Sequence, residues 1–333
     1  MRVALMALLL GAVGTAFATP PTCGVGGSFN PSPGWAILPP ENTTPDLSVA
    51  YPANGATVGN RVLQVRGRYE GPPNTGVSVN GLASLQSGDY FLSQDVLLSP
   101  GLNTITVVLT PPGAAPLSVS RTVTYDPNLA APAHLSASMT GDYAPFSTRF
   151  DVSLSGSSQQ IVRVRADYRT DGTYEFDTGL NSDQNWNLST IHRHPGLFQA
   201  SVEVTLDDGA LATPQVIVSM SRWSLGEDLQ RTRYTLCKVF ETYREQLSLH
   251  QYSAALEAFT EEARAELEAF TLGLGNNGAS VASQLGEIID GTIGADTAEL
   301  TLARPVTGTP GTFDSYPILF IREADGVWRI SSL

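Results

Sequence analysis

The feature that most constrains this chain is a change of hydrophobic period near Leu225. Before it, apolar and polar residues alternate in short runs, as in Leu47, Val49 and Tyr51, in Leu63 and Val65, in Val77 and Val79, in Ile105, Val107 and Leu109, and from Val119 to Val123. A period of two sends successive side chains to opposite faces of a pleated strand, so these runs predict half-buried strands. After it, Leu229, Arg233, Leu236, Phe240, Tyr243 and Leu247 recur at steps of three and four, which is one stripe of an α-helix. A chain that changes period in this way is neither a single sandwich nor a helical bundle. It predicts β-sandwich modules followed by an α+β module.

Turn residues divide the β part. Asn54-Gly55 and Asn80-Gly81 accept positive φ, and Pro100-Gly101 is a further break. About seven short strands within residues 46–125 predict a first sandwich. Asp126-Pro127 to Pro132 reads as a linker. A second alternating region spans 133–221, with Phe150, Val152 and Leu154, then Ile161 to Val164, then Phe198, Ala200, Val202 and Val204. In 226–333 the helical stripe continues in Tyr252, Leu256 and Phe259, and a third helix is capped by Thr260 and runs through Ala263, Leu267, Phe270 and Leu274. Glu261 and Glu262 sit in its first turn, where the helix dipole favours acids. Strands close the chain, with Ala298, Leu300 and Leu302, then Tyr316, Ile318 and Phe320, a hairpin turn at Asp325-Gly326, and Trp328 and Ile330 alternating with Val327 and Arg329.

The amino terminus gives an address. Arg2, an apolar run from Val3 to Leu10 and the closing Ala16-Phe17-Ala18 have the order of a secretory signal over residues 1–18, and the apolar run is too short to span a bilayer. Residues 19–45, rich in Pro, Gly and Asn, read as a tail. The expected location is periplasmic or extracellular. The sequence holds two cysteines, Cys23 and Cys237, both in the exported part. An oxidising compartment allows a disulfide between them, and an exposed tail thiol with a buried helical thiol is the other reading. With 32 acidic against 19 basic residues, a formal charge of −13 and Lys238 as the single lysine, nucleic acid and anionic membranes are poor partners.

Three family resemblances follow from local motifs. Val77-Ser78-Val79-Asn80-Gly81, Tyr90-Phe91 and Gly101-Leu102-Asn103-Thr104-Ile105 resemble the bacterial immunoglobulin-like modules found in glucodextranase and other secreted proteins. Ala166-Asp167-Tyr168, Asp171-Gly172-Thr173-Tyr174, Pro195-Gly196-Leu197-Phe198 and Asp207-Asp208-Gly209 resemble a PKD domain, a second immunoglobulin-like sandwich. Helices followed by a meander ending in Asp325-Gly326-Val327-Trp328-Arg329-Ile330 resemble the NTF2-like, cystatin-like α+β fold. That last resemblance implies a curved sheet and helices around a pocket, which some members use for small ligands or catalysis and others for protein contacts.

Catalytic motifs do not appear. The chain has no Gly-x-Ser-x-Gly, Ser-x-x-Lys, Walker loop or His-Glu-x-x-His. Gly273, Gly275 and Gly278 match a dinucleotide spacing, but a helix precedes them where a strand is required, so they predict helix termination and a loop. His192 and His194 lack a third ligand and read as loop-edge residues. Asp167, Asp171 and Asp177 are the calcium candidates, opposed by the cation Arg169 in their midst. Trp186, Trp223 and Tyr90 are the aromatic platforms available to a sugar, each with packing as the alternative role. The expectation is an exported, non-enzymatic binding or scaffolding protein of the bacterial cell envelope. Its partner would be a protein or carbohydrate, with no cofactor or metal. The alternative is a small-ligand carrier or enzyme with a pocket near Tyr234, Tyr243, His250 and Tyr316.

Overall fold

A computed structural model describes residues 44–333, apart from 60, 129–132, 140, 155–158, 170–172, 181–185, 223–224, 307 and 310–311. The predicted signal segment and Cys23 lie outside the described residues, as do Asp171 and Trp223.

The first module is a sandwich. One sheet has the order Asp46–Tyr51, Arg66–Glu70, Tyr90–Leu92, Leu85–Ser87; the other has the order Ala56–Val58, Leu117–Tyr125, Gly101–Thr110, Gly76–Val79, Leu82–Ala83. Alternation supplies the core between them, where Val65, Val77, Phe91, Ile105, Val107, Leu109 and Val123 are fully buried. The Asn80-Gly81 turn has positive φ at both residues, 49° and 79°, as a tight hairpin matching strand twist requires. The side chain of Asn80 also accepts from the Thr106 amide at 2.9 Å, which ties the turn to the neighbouring strand.

The second module repeats this plan. A three-stranded sheet, Ala133–Ala137, Phe146–Leu154 and Leu188–His192, faces a five-stranded one that begins with Gly141–Tyr143 beside Leu211–Arg222. In both modules a short early strand lies parallel to the last strand, while the other pairings are antiparallel. Phe150, Val164, Ala166, Leu188 and Val204 form its core, and the Tyr168 ring stacks on Phe150 at 5.5 Å.

The third module packs helices on one face of an antiparallel meander, Glu287–Ile293, Thr297–Pro305, Phe313–Arg322 and Trp328–Ser332. Helix α1 spans Leu225–Ser248, α2 Tyr252–Leu256, α3 Glu261–Leu272 and α4 Gly278–Gln284. Thr260 caps α3 by accepting from the Ala263 amide. Three details differ from the sequence reading. Leu229 is 38% exposed and lies off the buried stripe. Phe259 follows α2 and forms a bridge to Ile330 rather than a helical turn. Residues 273–278 are not simply a loop, because the chain coils again through Gly275–Asn277 into α4. Gly278 suits that position because a Cβ there would lie 2.4 Å from the Leu247 carbonyl oxygen, so α4 sits directly against α1.

The first module touches both others. Leu197 of the second module packs with Leu92, Tyr51 and Tyr90, and the hairpin at Asp325-Gly326 meets the segment Asn74–Val77.

Candidate binding groove

The third module has a filled interior. Leu236, Phe240, Leu247, Phe259, Leu300, Leu302, Ile318, Phe320 and Ile330 are each at most 2% exposed. Of the four pocket candidates, Tyr243 and Tyr316 meet at this core, while Tyr234 and His250 are not part of it. Tyr243 and Tyr234 are nine residues apart on α1, about 14 Å along the axis. The Tyr243 ring meets Phe259 edge-on at 4.9 Å, and burial pushes its phenol pKa well up, with Tyr316 adding to the rise. Tyr316 donates to the Leu285 carbonyl at 2.5 Å; burial raises its phenol, opposed by Arg304 and Arg244. Tyr234 is buried beneath Lys238, whose ammonium lies 5.6 Å from the ring centre. His250 is exposed at the α1–α2 corner, with φ of 60° and its Nε2 3.4 Å from the Asn276 carbonyl. These phenols are held by packing and backbone contacts, which is the arrangement of core tyrosines.

A polar groove lies outside that interior. It encloses about 450 Å³ and is lined by Phe259, Glu261, Arg264, Ala265, Glu268, Glu323 and Arg329. The start of α3 forms one wall and the last hairpin the other. Arg264 reaches back to Glu257 through two hydrogen bonds of 2.9 and 3.1 Å. Arg329 contacts Glu323 at 2.5 Å and Asp325 at 2.7 and 3.0 Å. Burial alone would lower the Arg329 pKa, but these two carboxylates outweigh it and the net shift is upward. Both guanidiniums are therefore charge-matched within the protein, while Glu261 and Glu268 stand exposed on the rim. The groove presents fixed hydrogen-bonding groups and a negative edge. The sequence reading did not mark Arg264, Glu323 or Arg329; the one available signal was the alternation that sets Arg329 opposite Trp328 and Ile330.

The remaining candidates are dispersed. Asp177 accepts from Arg163 at 2.8 and 2.5 Å and from the Gly179 amide at 2.9 Å, and the Arg163 bond chiefly holds its pKa down at about 2. Its oxygens accept from a cation and a backbone donor. Asp167 accepts from the Arg169 amide, and Asp171 lies outside the described residues. Among the described residues no group of three or more His, Cys, Asp or Glu is arranged to hold a metal ion. His192 is not a loop-edge residue. It is buried between Phe146 and Phe198 at 4.8 and 4.4 Å, and burial lowers its pKa; His194 is exposed beyond the strand end. Trp186 is half-buried against the second core, and Tyr90 lies under the Arg68 guanidinium at 5.2 Å. Cys237 is disulfide-bonded. No helix among the described residues is long and apolar enough to cross a membrane.

No protein-family model and no curated protein matches the chain. Solved structures give weak likenesses. The fibronectin(III)-like modules of Clostridium thermocellum CbhA align at TM-score 0.21 and 15% identity, over 53% of this chain and 94% of that one. The D00-D0 domain of intimin aligns at TM-score 0.20 and 11% identity, over 52% of this chain and 98% of that one. SGBP-B of the Bacteroides ovatus mixed-linkage glucan utilization locus, in complex with a mixed-linkage heptasaccharide, aligns at TM-score 0.18 and 12% identity, over 54% of this chain and 48% of that one.

Proposed function

We propose that this chain is an exported, non-enzymatic binding or scaffolding protein of the bacterial cell envelope. Two immunoglobulin-like modules, the first of the glucodextranase-associated type and the second of the PKD type, carry an NTF2-like module to a protein or glycan partner. The observation that supports this reading most is the contrast within the third module, a closed apolar interior beside an open polar groove. Recognition groups are on the outside, where a macromolecule can reach them, and the tyrosines that a small-molecule pocket would use are spent on packing. The acidic rim favours a partner surface bearing cations or hydrogen-bond donors.

The test is retention of isolated envelope proteins and envelope glycans on the immobilised full-length protein. The paired variant Glu261→Lys and Glu268→Lys serves as the control. A partner held by the native protein and released by charge reversal supports the groove as the binding surface. Retention of none across a range of salt concentrations, or equal retention by the variant, would count against it.

A further inference from the structure

We propose that the last hairpin and the first module form a reversible clasp, and that its closure fixes the wall of the groove. This rests on geometry that the functional reading above does not use. In the segment Pro72-Pro73-Asn74-Thr75 the Thr75 amide donates to the Pro72 carbonyl at 3.1 Å, and Asn74 has φ of 69°. Proline at the second position and a positive-φ Asn at the third are the pattern of a type II turn. The turn is braced by the Thr75 hydroxyl, which donates to Pro72 at 2.6 Å, and by the Gln86 amide, which donates to the Thr75 carbonyl at 3.0 Å. It holds out the Asn74 carboxamide, which takes both backbone groups of Trp328. The Trp328 N–H donates to Asn74 Oδ1 at 2.8 Å, and Asn74 Nδ2 donates to the Trp328 carbonyl at 3.0 Å.

The opposite side of the hairpin is held as closely. Arg322 donates to the Ser84 carbonyl at 2.7 Å and to Gln86 Oε1 at 2.5 Å, and to Gly326 of its own turn at 3.1 Å. Tyr69 lies beside Gln86, Arg322 and Arg231; burial raises its phenol against those three. Two glycines allow the approach. A Cβ on Gly76 would lie 2.3 Å from the Asp325 carbonyl oxygen, and one on Gly326 would lie 2.8 Å from the Val77 amide nitrogen.

The side chains that cross this contact do so through hydrogen bonds. The buried apolar clusters of the first and third modules are separate and share no described residue. Contacts of this kind, without a shared apolar core, resemble non-obligate interfaces and permit relative motion of modules. The hairpin has two faces: Arg322 and Trp328 engage the first module, while Glu323 and Arg329 line the groove. Opening the clasp releases the turn that carries that wall.

Amide hydrogen exchange and small-angle scattering on the full chain test the proposal with two variants, both in the first module. Asn74→Gly keeps the positive φ and removes the carboxamide; Gly76→Val drives a wedge against Asp325 with Asn74 intact. In Gly76→Val the Trp328 amide is expected to lose protection by about tenfold or more. The amides of Ile318, Phe320, Ile105 and Val107 should keep theirs, and both variants should show a larger radius of gyration. Unchanged scattering and unchanged Trp328 protection would overturn the clasp. So would equal loss of protection at Ile318 and Phe320, which would make the contact part of the third core.

Discussion

Arg66 and Arg322 stand at the two junctions of the first module, both well buried, and differ in what surrounds them. Arg66 is 8% exposed, directly across from Tyr51 and Leu92 in the sheet that receives Leu197. Its guanidinium carbon lies 5.6 Å from the Tyr51 ring centre, its Nε has no hydrogen-bond partner, and burial lowers its pKa. The side chain of Arg322 is 12% exposed, and it reaches three acceptors, with Asp296 at 3.8 Å. A buried cation without acceptors opposes folding, whereas one with acceptors becomes costly to remove. The junction with the second module is therefore an apolar contact that tolerates an arginine, and the junction with the third depends on one.

Opposite signs on substitution would sharpen this contrast. Arg322→Met leaves the Ser84 and Gly326 carbonyls unmatched, and thermal or urea unfolding should register a loss of roughly 2–4 kcal/mol. A loss under 1 kcal/mol would place Arg322 with Arg66. Arg66→Met replaces a buried guanidinium whose Nε is unpaired with an apolar chain of similar length, and stability should rise by about 1 kcal/mol. A marked loss would mean that Arg66 has acceptors in solution that the Tyr51 face does not supply.

Two smaller effects belong to the second module and should leave both junctions unaltered. His192 has its pKa held below the ordinary 6.5 by burial. The unfolded chain therefore takes up the proton first as pH falls. Stability from the neutral imidazole is complete above 6.5 and declines as the pH drops below it. Stability against pH should slope downward there in the native protein and flatten in His192→Leu. Asp177 is held down to about 2 from 3.8, chiefly by Arg163, so its contribution is present above 3.8 and disappears as pH falls toward 2. Asp177→Asn should be slightly less stable than the native protein at neutral pH and equal to it at the acid end; a constant gap would assign the effect to packing.

Much of the fold was legible because burial and period coincide. Ile105, Val107 and Leu109 alternate in sequence and are each fully buried, and Thr260 caps the helix that its position predicted. Helix α4 escaped notice because Gly278, Ala279 and Ser280 carry little periodic signal and the helix forms by contact with α1. His192 was misplaced because a histidine at the end of a short strand gives no hint of the two phenylalanines that enclose it. The groove and the clasp were illegible for the same reason. Asn74 lies 254 positions from Trp328 and Gln86 lies 236 from Arg322, and nothing local in either segment announces its distant partner. The Pro-Pro-Asn turn could be read as a turn, but not as a receptor for a backbone.

The most direct test is a double-mutant cycle on unfolding free energy with Asn74→Gly and Arg322→Met in the full chain. If one clasp holds both contacts, either change alone opens it and the second adds little, so the pair should fall short of the summed single effects by about 1 kcal/mol or more. Strict additivity would show two independent surface contacts and contradict a cooperative closure of first module upon last.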